Sequence, residues 1–188
     1  MVHRDLKPEN VLVSNSHYAS DPTKIESFWE DKPVIAKLTD FGESRSEIIQ
    51  TCSLAHTRTH NVKRGSPIYM APELHLGDAD SLTIEELKAV DVWGLGMIFF
   101  IMVNPNLSYP YQAEMEDLKA KGIKSSLVWH IMRKGDLPNH DEKYVNDHKS
   151  SWAGVVEAFN AAARFKSSER ASVTKILQLF KKPLGGLM

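Results

Sequence analysis

The sequence predicts a mostly α-helical domain with one short β-hairpin and several helices packed around a central apolar helix. Two short runs rich in β-branched residues, at 11–13 and 34–39, are expected to pair as strands. Helical patterns dominate from residue 83 onwards, and the stretch Val90–Val103 is apolar nearly all round, as expected of a buried helix. A chain of 188 residues is long enough to bury one such core without disulfides or metals.

Composition narrows the class of protein. Apolar residues make up 42% of the chain and charged residues 25%, which is typical of a globular domain. The chain has 23 Lys and Arg residues and 24 Asp and Glu residues, so its net charge is close to zero. Such a charge does not indicate binding to nucleic acid or to an anionic membrane. The single cysteine, Cys52, excludes an internal disulfide framework and fits a reducing compartment. We therefore expect a cytoplasmic protein with no nucleic-acid partner and no membrane span, since the Val90–Val103 run is too short to cross a bilayer.

Two long polar segments accompany the predicted strands. Residues 14–33, rich in Ser, Asp and Pro, are too many for a hairpin connection and are interpreted as a surface insertion. Residues 40–73 are polar with little periodicity, which indicates a long loop. Loops of this length in compact domains are often functional, so this segment is the first place to look for a site.

Helices are predicted across the rest of the chain, and together they form a helical subdomain at residues 81–182. The string "TIEE" (Thr83–Glu86) has the capping-box form of a helix start, and a weaker helical pattern covers residues 113–133. The string "GLG" at 94–96 lies inside the apolar helix, where close helix packing explains it better than phosphate binding. Two later stripes are expected to be core faces: Trp152, Val155, Val156, Phe159 and Ala163 in one, and Val173, Ile176, Leu177 and Phe180 in the other.

Three motifs in a fixed order are the strongest functional signal. The string "VHRDLKPEN" near the start contains Asp5, Lys7 and Asn10, "DFG" follows at 40–42, and "APE" stands at 71–73. This order resembles the catalytic loop, the metal-binding loop and the end of the activation segment of the protein kinase family. Three ordered motifs make coincidence a poor explanation.

The resemblance extends over residues 1–188 but covers only part of the family's domain. It implies a partial kinase domain that consists of the large C-terminal lobe, with the catalytic loop at 3–10 and the activation segment at 40–73. The small lobe, with its Gly-rich loop over the phosphates, is absent from the match, and no GxGxxG string occurs in the sequence. A missing small lobe or upstream region is therefore an expected partner.

The resemblance also implies a set of catalytic and cofactor residues. Asp5 matches the base that accepts the proton of the attacking hydroxyl, and Lys7 matches the lysine near the transferred phosphoryl group of ATP. Asn10 and Asp40 match the two Mg²⁺ ligands, and their hard oxygen donors suit that ion. Lys7 also follows the pattern of the Ser/Thr branch, so the implied partner is a protein substrate with a Ser or Thr hydroxyl.

Other matches imply structural or regulatory roles. His3 and Phe41 resemble two stacked residues that position the metal-binding loop. Phe41 is the middle residue of "DFG", and Gly42 is the last. Asp91 resembles a buried acceptor for the backbone of the catalytic loop. Glu73 and Arg170 match a buried ion pair, although exposed charges at a loop and a helix start would fit the same sequence nearly as well.

Regulation is expected to involve the activation segment. Arg4 precedes the base, where kinases often use an arginine to receive an activation-loop phosphate. Ser53, Thr57 and Thr59 are all possible acceptors of that phosphate, and ordinary loop residues would look the same. The string "GSPIYMAPE" (Gly65–Glu73) resembles the substrate-docking stretch of the family, and Ser66 stands where Thr is usual, which keeps a hydroxyl there. His56 and His60 are better explained as solvated histidines than as metal ligands.

Two functions follow as hypotheses. The first is a Ser/Thr protein kinase fragment that uses ATP and Mg²⁺ and whose isolated chain is inactive. The alternative is a non-catalytic, pseudokinase-like or truncated interaction module that binds the substrates or regulators of a kinase. The retained Asp5, Asn10 and Asp40 argue against the module, since a scaffold does not require Mg²⁺ ligands.

Overall fold

The fold is mostly helical with one two-stranded sheet. A computed structural model describes residues 1–14, 34–44, 66–76, 82–123 and 127–181. Its strands are β1 (Val11–Ser14) and β2 (Ile35–Leu38), and its helices are α1 (Pro72–Leu76), α2 (Ile84–Val103), α3 (Gln112–Ala120), α4 (Leu127–Lys134), α5 (Glu142–Ala162) and α6 (Val173–Lys181). The predicted insertion beyond Ser14 lies outside the described residues. No helix in the described part of the chain combines the length and apolar character needed to span a bilayer.

The β-hairpin predicted from the two β-branched runs is confirmed. β1 and β2 pair antiparallel with Val11 opposite Leu38 and Ser14 opposite Ile35. The hairpin contributes little to the core, because Leu12, Val13 and Leu38 are each about half exposed or more. Leu12 lies on the opposite face of β1 from Val13, so the described residues leave apolar side chains exposed on both faces of the sheet.

Helix α2 begins at the predicted capping box. The Glu86 backbone N–H donates to Thr83 Oγ1 at 3.3 Å, and the Thr83 N–H donates to Glu86 Oε2 at 2.8 Å. These bonds satisfy donors that the first turn of a helix leaves unpaired. The helix starts six residues before the predicted apolar run and ends where that run ends, at Val103. Trp93, Met97 and Phe100 on this helix are fully buried.

The "GLG" string lets other backbone segments approach α2 closely, as predicted. A Cβ added at Gly94 would lie 2.9 Å from the carbonyl oxygen of Leu6 in the opening loop. A Cβ added at Gly96 would lie 3.1 Å from Ala162 Cβ and 3.2 Å from Ala163 N, at the end of α5. Helix α2 therefore supports the loop with one glycine and packs on α5 with the other.

Replacing Gly96 with valine is expected to lower the free energy of unfolding by about 1–3 kcal/mol, because the added methyl groups must push α5 away from α2. Urea denaturation followed by circular dichroism measures the change. Gly154→Ala in α5 is the control, since nothing lies within 4 Å of the added Cβ and alanine favours the helix. Equal stability of the Gly96→Val variant and the wild type would contradict the close packing.

Two helical predictions need correction. The weak pattern at 113–133 is not one helix: α3 ends at Ala120, and Gly122 adopts a left-handed φ of 78° two residues later.

The predicted core face of α6 is wrong for three of its four residues, because Ile176 is buried whereas Val173, Leu177 and Phe180 are 58, 51 and 45% exposed. The sequence pattern identifies an apolar stripe but not how much of it a neighbouring helix covers. In the α5 stripe, Phe159 and Ala163 are buried and the other three are partly exposed.

Candidate active site

The opening loop is fastened to α2 by one carboxylate. The backbone N–H of His3 donates to Asp91 Oδ2 and that of Arg4 donates to Asp91 Oδ1, both at 2.7 Å. Arg4 has a left-handed φ of 74°, a conformation that a non-glycine residue rarely adopts without support from its surroundings. Asp91 therefore holds both the position and the unusual turn of the loop.

Asp5 is the centre of a polar cluster. Lys7 Nζ donates to Asp5 Oδ2 at 2.8 Å, and the backbone N–H of Ser66 donates to Oδ1 at 3.1 Å. Asn10 Nδ2 donates to the Asp5 carbonyl oxygen at 2.8 Å and to Oδ2 at 3.2 Å. Lys7 Nζ also donates to Ser66 Oγ at 2.9 Å. The structure thus brings Ser66 to the opening loop from 61 positions along the chain.

The charge of Asp5 follows from these contacts. Burial alone would raise the pKa of its carboxyl, but the hydrogen bonds from Lys7, Ser66 and Asn10 and the charge of Lys7 hold that pKa below its usual value. Asp5 is therefore a carboxylate at neutral pH. Because the folded pKa is lowered, its contribution to stability is present above the ordinary pKa and is lost as the pH falls through the folded value.

The "DFG" segment is held beside this loop. His3 Nε2 donates to the carbonyl oxygen of Thr39 at 2.9 Å, and the Thr39 N–H donates to the carbonyl oxygen of Asn10 at 3.0 Å. The rings of His3 and Phe41 lie 5.0 Å apart between centroids. The predicted pair is thus in contact, and the backbone bonds place Asp40 directly after a residue bonded to Asn10.

Asp40 itself has a special backbone conformation. Its φ of 59° and ψ of 68° are left-handed, and its Oδ1 accepts a hydrogen bond from the Gly42 N–H at 3.4 Å. A Cβ added at Gly42 would lie 3.3 Å from that oxygen, so glycine leaves room for the carboxylate. Asp40 is exposed, which leaves its oxygens accessible to a ligand.

The Glu73 and Arg170 side chains form a two-pronged ion pair. Arg170 Nη1 donates to Glu73 Oε1 at 2.6 Å and Nη2 donates to Glu73 Oε2 at 2.7 Å. The side chain of Arg170 is 1% exposed and that of Glu73 is 20% exposed. Of the two interpretations that the sequence left open, the structure therefore shows the buried pair.

Comparison with known proteins identifies the family. A family model described as the protein kinase domain matches residues 1–180. This chain belongs to the protein kinase family. It is 28% identical over 157 residues to a dual serine/threonine and tyrosine protein kinase of Apis mellifera, covering 82% of this chain and 13% of that protein. It is 28% identical over 188 residues to a putative serine/threonine-protein kinase of Saccharomyces cerevisiae, covering all of this chain and 16% of that protein.

A third relative supports the same family assignment. The ovarian-specific serine/threonine-protein kinase Lok of Drosophila melanogaster is 31% identical over 125 residues, covering 66% of this chain and 21% of that protein. The kinase chain therefore spans a small part of the length of the relatives it matches.

Two further features lie near Asp5. Arg4 Nη1 donates to the carbonyl oxygen of Glu43, the residue after "DFG", at 3.5 Å. The predicted phosphate acceptors Ser53, Thr57 and Thr59 lie outside the described residues. A cavity of about 10 Å³, the size of one water, lies between Asp5 and Asp91.

Tyr69 lines this cavity and was missed by the sequence analysis. It is buried, and burial together with the charge of Glu9 raises the pKa of its hydroxyl to about 12, so the hydroxyl stays protonated. Its place four residues before Glu73, within the docking stretch, is the signal that could have identified it.

Proposed function

We propose that this chain is the large lobe of a Ser/Thr protein kinase and contributes to transfer of the γ-phosphoryl group of ATP to a protein hydroxyl. The observation that carries the proposal is the cluster in which Lys7 Nζ contacts both Asp5 Oδ2 and Ser66 Oγ. Transfer of a charged phosphoryl group to a hydroxyl requires a carboxylate and a cation placed close together in the protein.

Asp5 acts as the general base in this proposal. An ionised carboxylate has about four acceptor positions. Three protein donors reach its two oxygens, from Lys7, Ser66 and Asn10, so capacity remains for a substrate hydroxyl. As the hydroxyl oxygen bonds to phosphorus, its proton passes to Asp5 and the bond from phosphorus to the leaving oxygen breaks. Lys7 is placed to stabilise the charge on the phosphoryl oxygens.

Asn10 and Asp40 are the proposed Mg²⁺ ligands. The fit is supported by donor chemistry, since an amide oxygen and an exposed carboxylate are hard oxygen donors on adjacent segments. The described residues contain no group of three or more His, Cys, Asp or Glu side chains suited to a metal. Two protein ligands are consistent with Mg²⁺, which in phosphoryl-transfer sites takes other ligands from substrate phosphates and water. When bound, the ion supplies charge neutralisation at the phosphates.

Ser/Thr specificity rests on Lys7. Its ammonium group stands between the base and Ser66, where it would lie beside an incoming hydroxyl. The yeast and fly relatives are named as Ser/Thr kinases, and the name of the bee relative also includes tyrosine. A protein substrate with a Ser or Thr hydroxyl is the better supported partner, and the cytoplasmic location stays a prediction from composition.

The isolated chain is proposed to be inactive because its nucleotide site is incomplete. Phe41, Leu12, Val13, Val34 and Met1 are all about half exposed or more, and they lie on the hairpin and the segments that carry the proposed site. Large apolar side chains that are exposed on neighbouring segments favour a packing partner. We assign that role to a small lobe or upstream region that supplies the remaining contacts to ATP. The same exposed side chains favour the alternative, a non-catalytic module that binds a kinase substrate or regulator.

A phosphotransfer assay distinguishes the two functions. A protein that joins this chain to the proposed small lobe is incubated with radiolabelled ATP, Mg²⁺ and a protein acceptor, and label on Ser, Thr and Tyr is separated by phosphoamino-acid analysis. We expect label on Ser or Thr that Asp5→Asn abolishes, and no label with residues 1–188 alone. Glu116→Gln, an exposed carboxylate on α3, is the charge-matched control and should keep activity.

Three results would count against the proposal. Turnover by the Asp5→Asn variant would show that Asp5 is not the base. Label mainly on Tyr would overturn the substrate class. Capture of a substrate by a protein that shows no turnover and no ATP binding would establish the module instead.

A further inference from the structure

A cavity of about 360 Å³, the α3–α4 pocket, opens between helices α3 and α4. Its volume falls within the range of roughly 300–1,000 Å³ that is usual for ligand sites. It shares no lining residue with the Asp5 cluster, and all of its lining residues follow α2 in the sequence. The proposed phosphoryl transfer does not use it.

The pocket has an apolar floor and a charged rim. Tyr111, Leu118 and Ile131 are buried at the floor, and Leu137 is partly buried beside them. The rim contains three carboxylates and one ammonium group: Glu114, Asp117, Asp136 and Lys134. The lining therefore carries a formal excess of negative charge around a hydrophobic base.

Hydrogen bonds across the pocket fix its shape in advance. Tyr111 Oη donates to the carbonyl oxygen of Asp136 at 3.0 Å, which joins the start of α3 to the turn after α4. Glu114 Oε1 accepts from the backbone N–H of Asn139 at 3.1 Å and from its Nδ2 at 2.9 Å. Both walls are thus held by bonds within the chain, and a preformed site loses less entropy when it binds.

The rim carboxylates also affect the buried tyrosine at the floor of the pocket. Burial raises the pKa of the Tyr111 hydroxyl, and the nearby carboxylates of Glu114 and Asp136 raise it further. Lys121 Nζ contacts Asp117 Oδ2 at 2.6 Å, but that pair is exposed and contributes little, since solvent screens it. Lys121 does not line the pocket, and Lys134, the cation among the lining residues, opposes three carboxylates.

We propose that the α3–α4 pocket binds an arginine side chain from a basic segment of a partner protein. The apolar floor suits the aliphatic stem of an arginine, and the carboxylate rim suits its guanidinium group, which pairs well with carboxylates. A neutral apolar side chain would partly desolvate the rim carboxylates without supplying a cation, and an acidic one would be repelled. Charge complementarity therefore selects a basic partner segment.

The test is an anisotropy titration of the full chain with a fluorescein-labelled peptide. The probe is a nine-residue peptide with two arginines among glycines and serines, and its comparison peptide has citrulline at both positions. Citrulline keeps the length and shape of the side chain but is uncharged. We expect the arginine peptide to bind at least about tenfold more tightly, because a cation near several carboxylates at a partly buried site gains more than at a surface pair.

Variants locate the binding at the pocket. Asp136→Asn should weaken arginine-peptide binding about fivefold or more, whereas Glu116→Gln, which removes the same charge from α3 outside the pocket, should change it less than twofold. Lys134→Gln should strengthen binding about twofold or more, because it removes the opposing cation. Circular dichroism of each variant checks that the helices are retained.

The gain expected for Lys134→Gln is a readout that a damaged fold could not give. Equal weakening by Asp136→Asn and Glu116→Gln would show only a diffuse negative field and would overturn the proposal. So would equal affinity for the arginine and citrulline peptides, or loss of binding on Lys134→Gln.

Discussion

Arg170→Met is expected to lower the free energy of unfolding by about 3–5 kcal/mol, the cost of leaving one member of a buried ion pair without its partner. The variant keeps an unbranched side chain of similar length but removes the guanidinium group that Glu73 requires. Urea denaturation followed by circular dichroism measures the change from the shift of the midpoint.

The size of the effect follows from the number of groups that Arg170 satisfies. Besides its two bonds to Glu73, Nη1 donates to the Ala89 carbonyl oxygen at 2.8 Å and Nε to the Arg164 carbonyl oxygen at 2.8 Å. Its guanidinium carbon also lies 5.2 Å from the centroid of the Trp93 ring. Arg170 thus joins α1, α2 and the segment after α5. Arg170→Lys should recover only part of the loss, because an ammonium group cannot form the two parallel bonds.

Lys166→Met provides the matched control four residues earlier. Lys166 Nζ lies 3.4 Å from Glu169 Oε1, with side chains 78 and 54% exposed, and an exposed pair contributes at most about 1 kcal/mol. A loss for Arg170→Met no greater than that for Lys166→Met would show that the Glu73–Arg170 pair does not stabilise the domain.

Local rules predicted the parts of the fold that depend on neighbouring residues. The capping box at Thr83–Glu86 starts α2 because its two hydrogen bonds involve residues three positions apart. The two strands follow from two β-branched runs, and the close packing at Gly96 follows from a small residue inside an apolar helix. Each prediction needed only a short window of sequence.

Features that depend on distant chain segments were predicted poorly or only through the family resemblance. The stripe on α6 shows apolar residues at helical spacing, but the described part of the chain supplies cover for Ile176 and leaves Leu177 half exposed. The bond that the Ser66 N–H donates to Asp5 joins residues 61 positions apart, and no local pattern in the sequence indicates that they meet. The α3–α4 pocket is similar, since Tyr111 and Asp136 meet only in the fold.

Asp91→Asn is expected to free the opening loop from α2. An amide can offer one oxygen, so one of the two N–H groups, of His3 or Arg4, would face an NH₂ group instead of an acceptor. A buried donor without a partner costs about 1–3 kcal/mol, and the remaining bond loses its charge assistance. Amide hydrogen exchange at His3 and Arg4 should therefore become faster by about tenfold or more.

The loss should extend from the loop to the proposed base. The left-handed turn at Arg4 is supported by the bond to Asp91, and Asp5 follows it directly. Without that support, we expect Asp5 to lose its fixed position relative to Ser66 N. Phosphotransfer by the chain joined to the proposed small lobe should then fall, while the core of α2 stays protected from exchange. Glu85→Gln, an exposed carboxylate in the first turn of the same helix, should leave exchange at His3 and Arg4 unchanged. Unchanged exchange in Asp91→Asn would mean that other contacts fix the loop, and then Leu6 against Gly94 would be the next anchor to test.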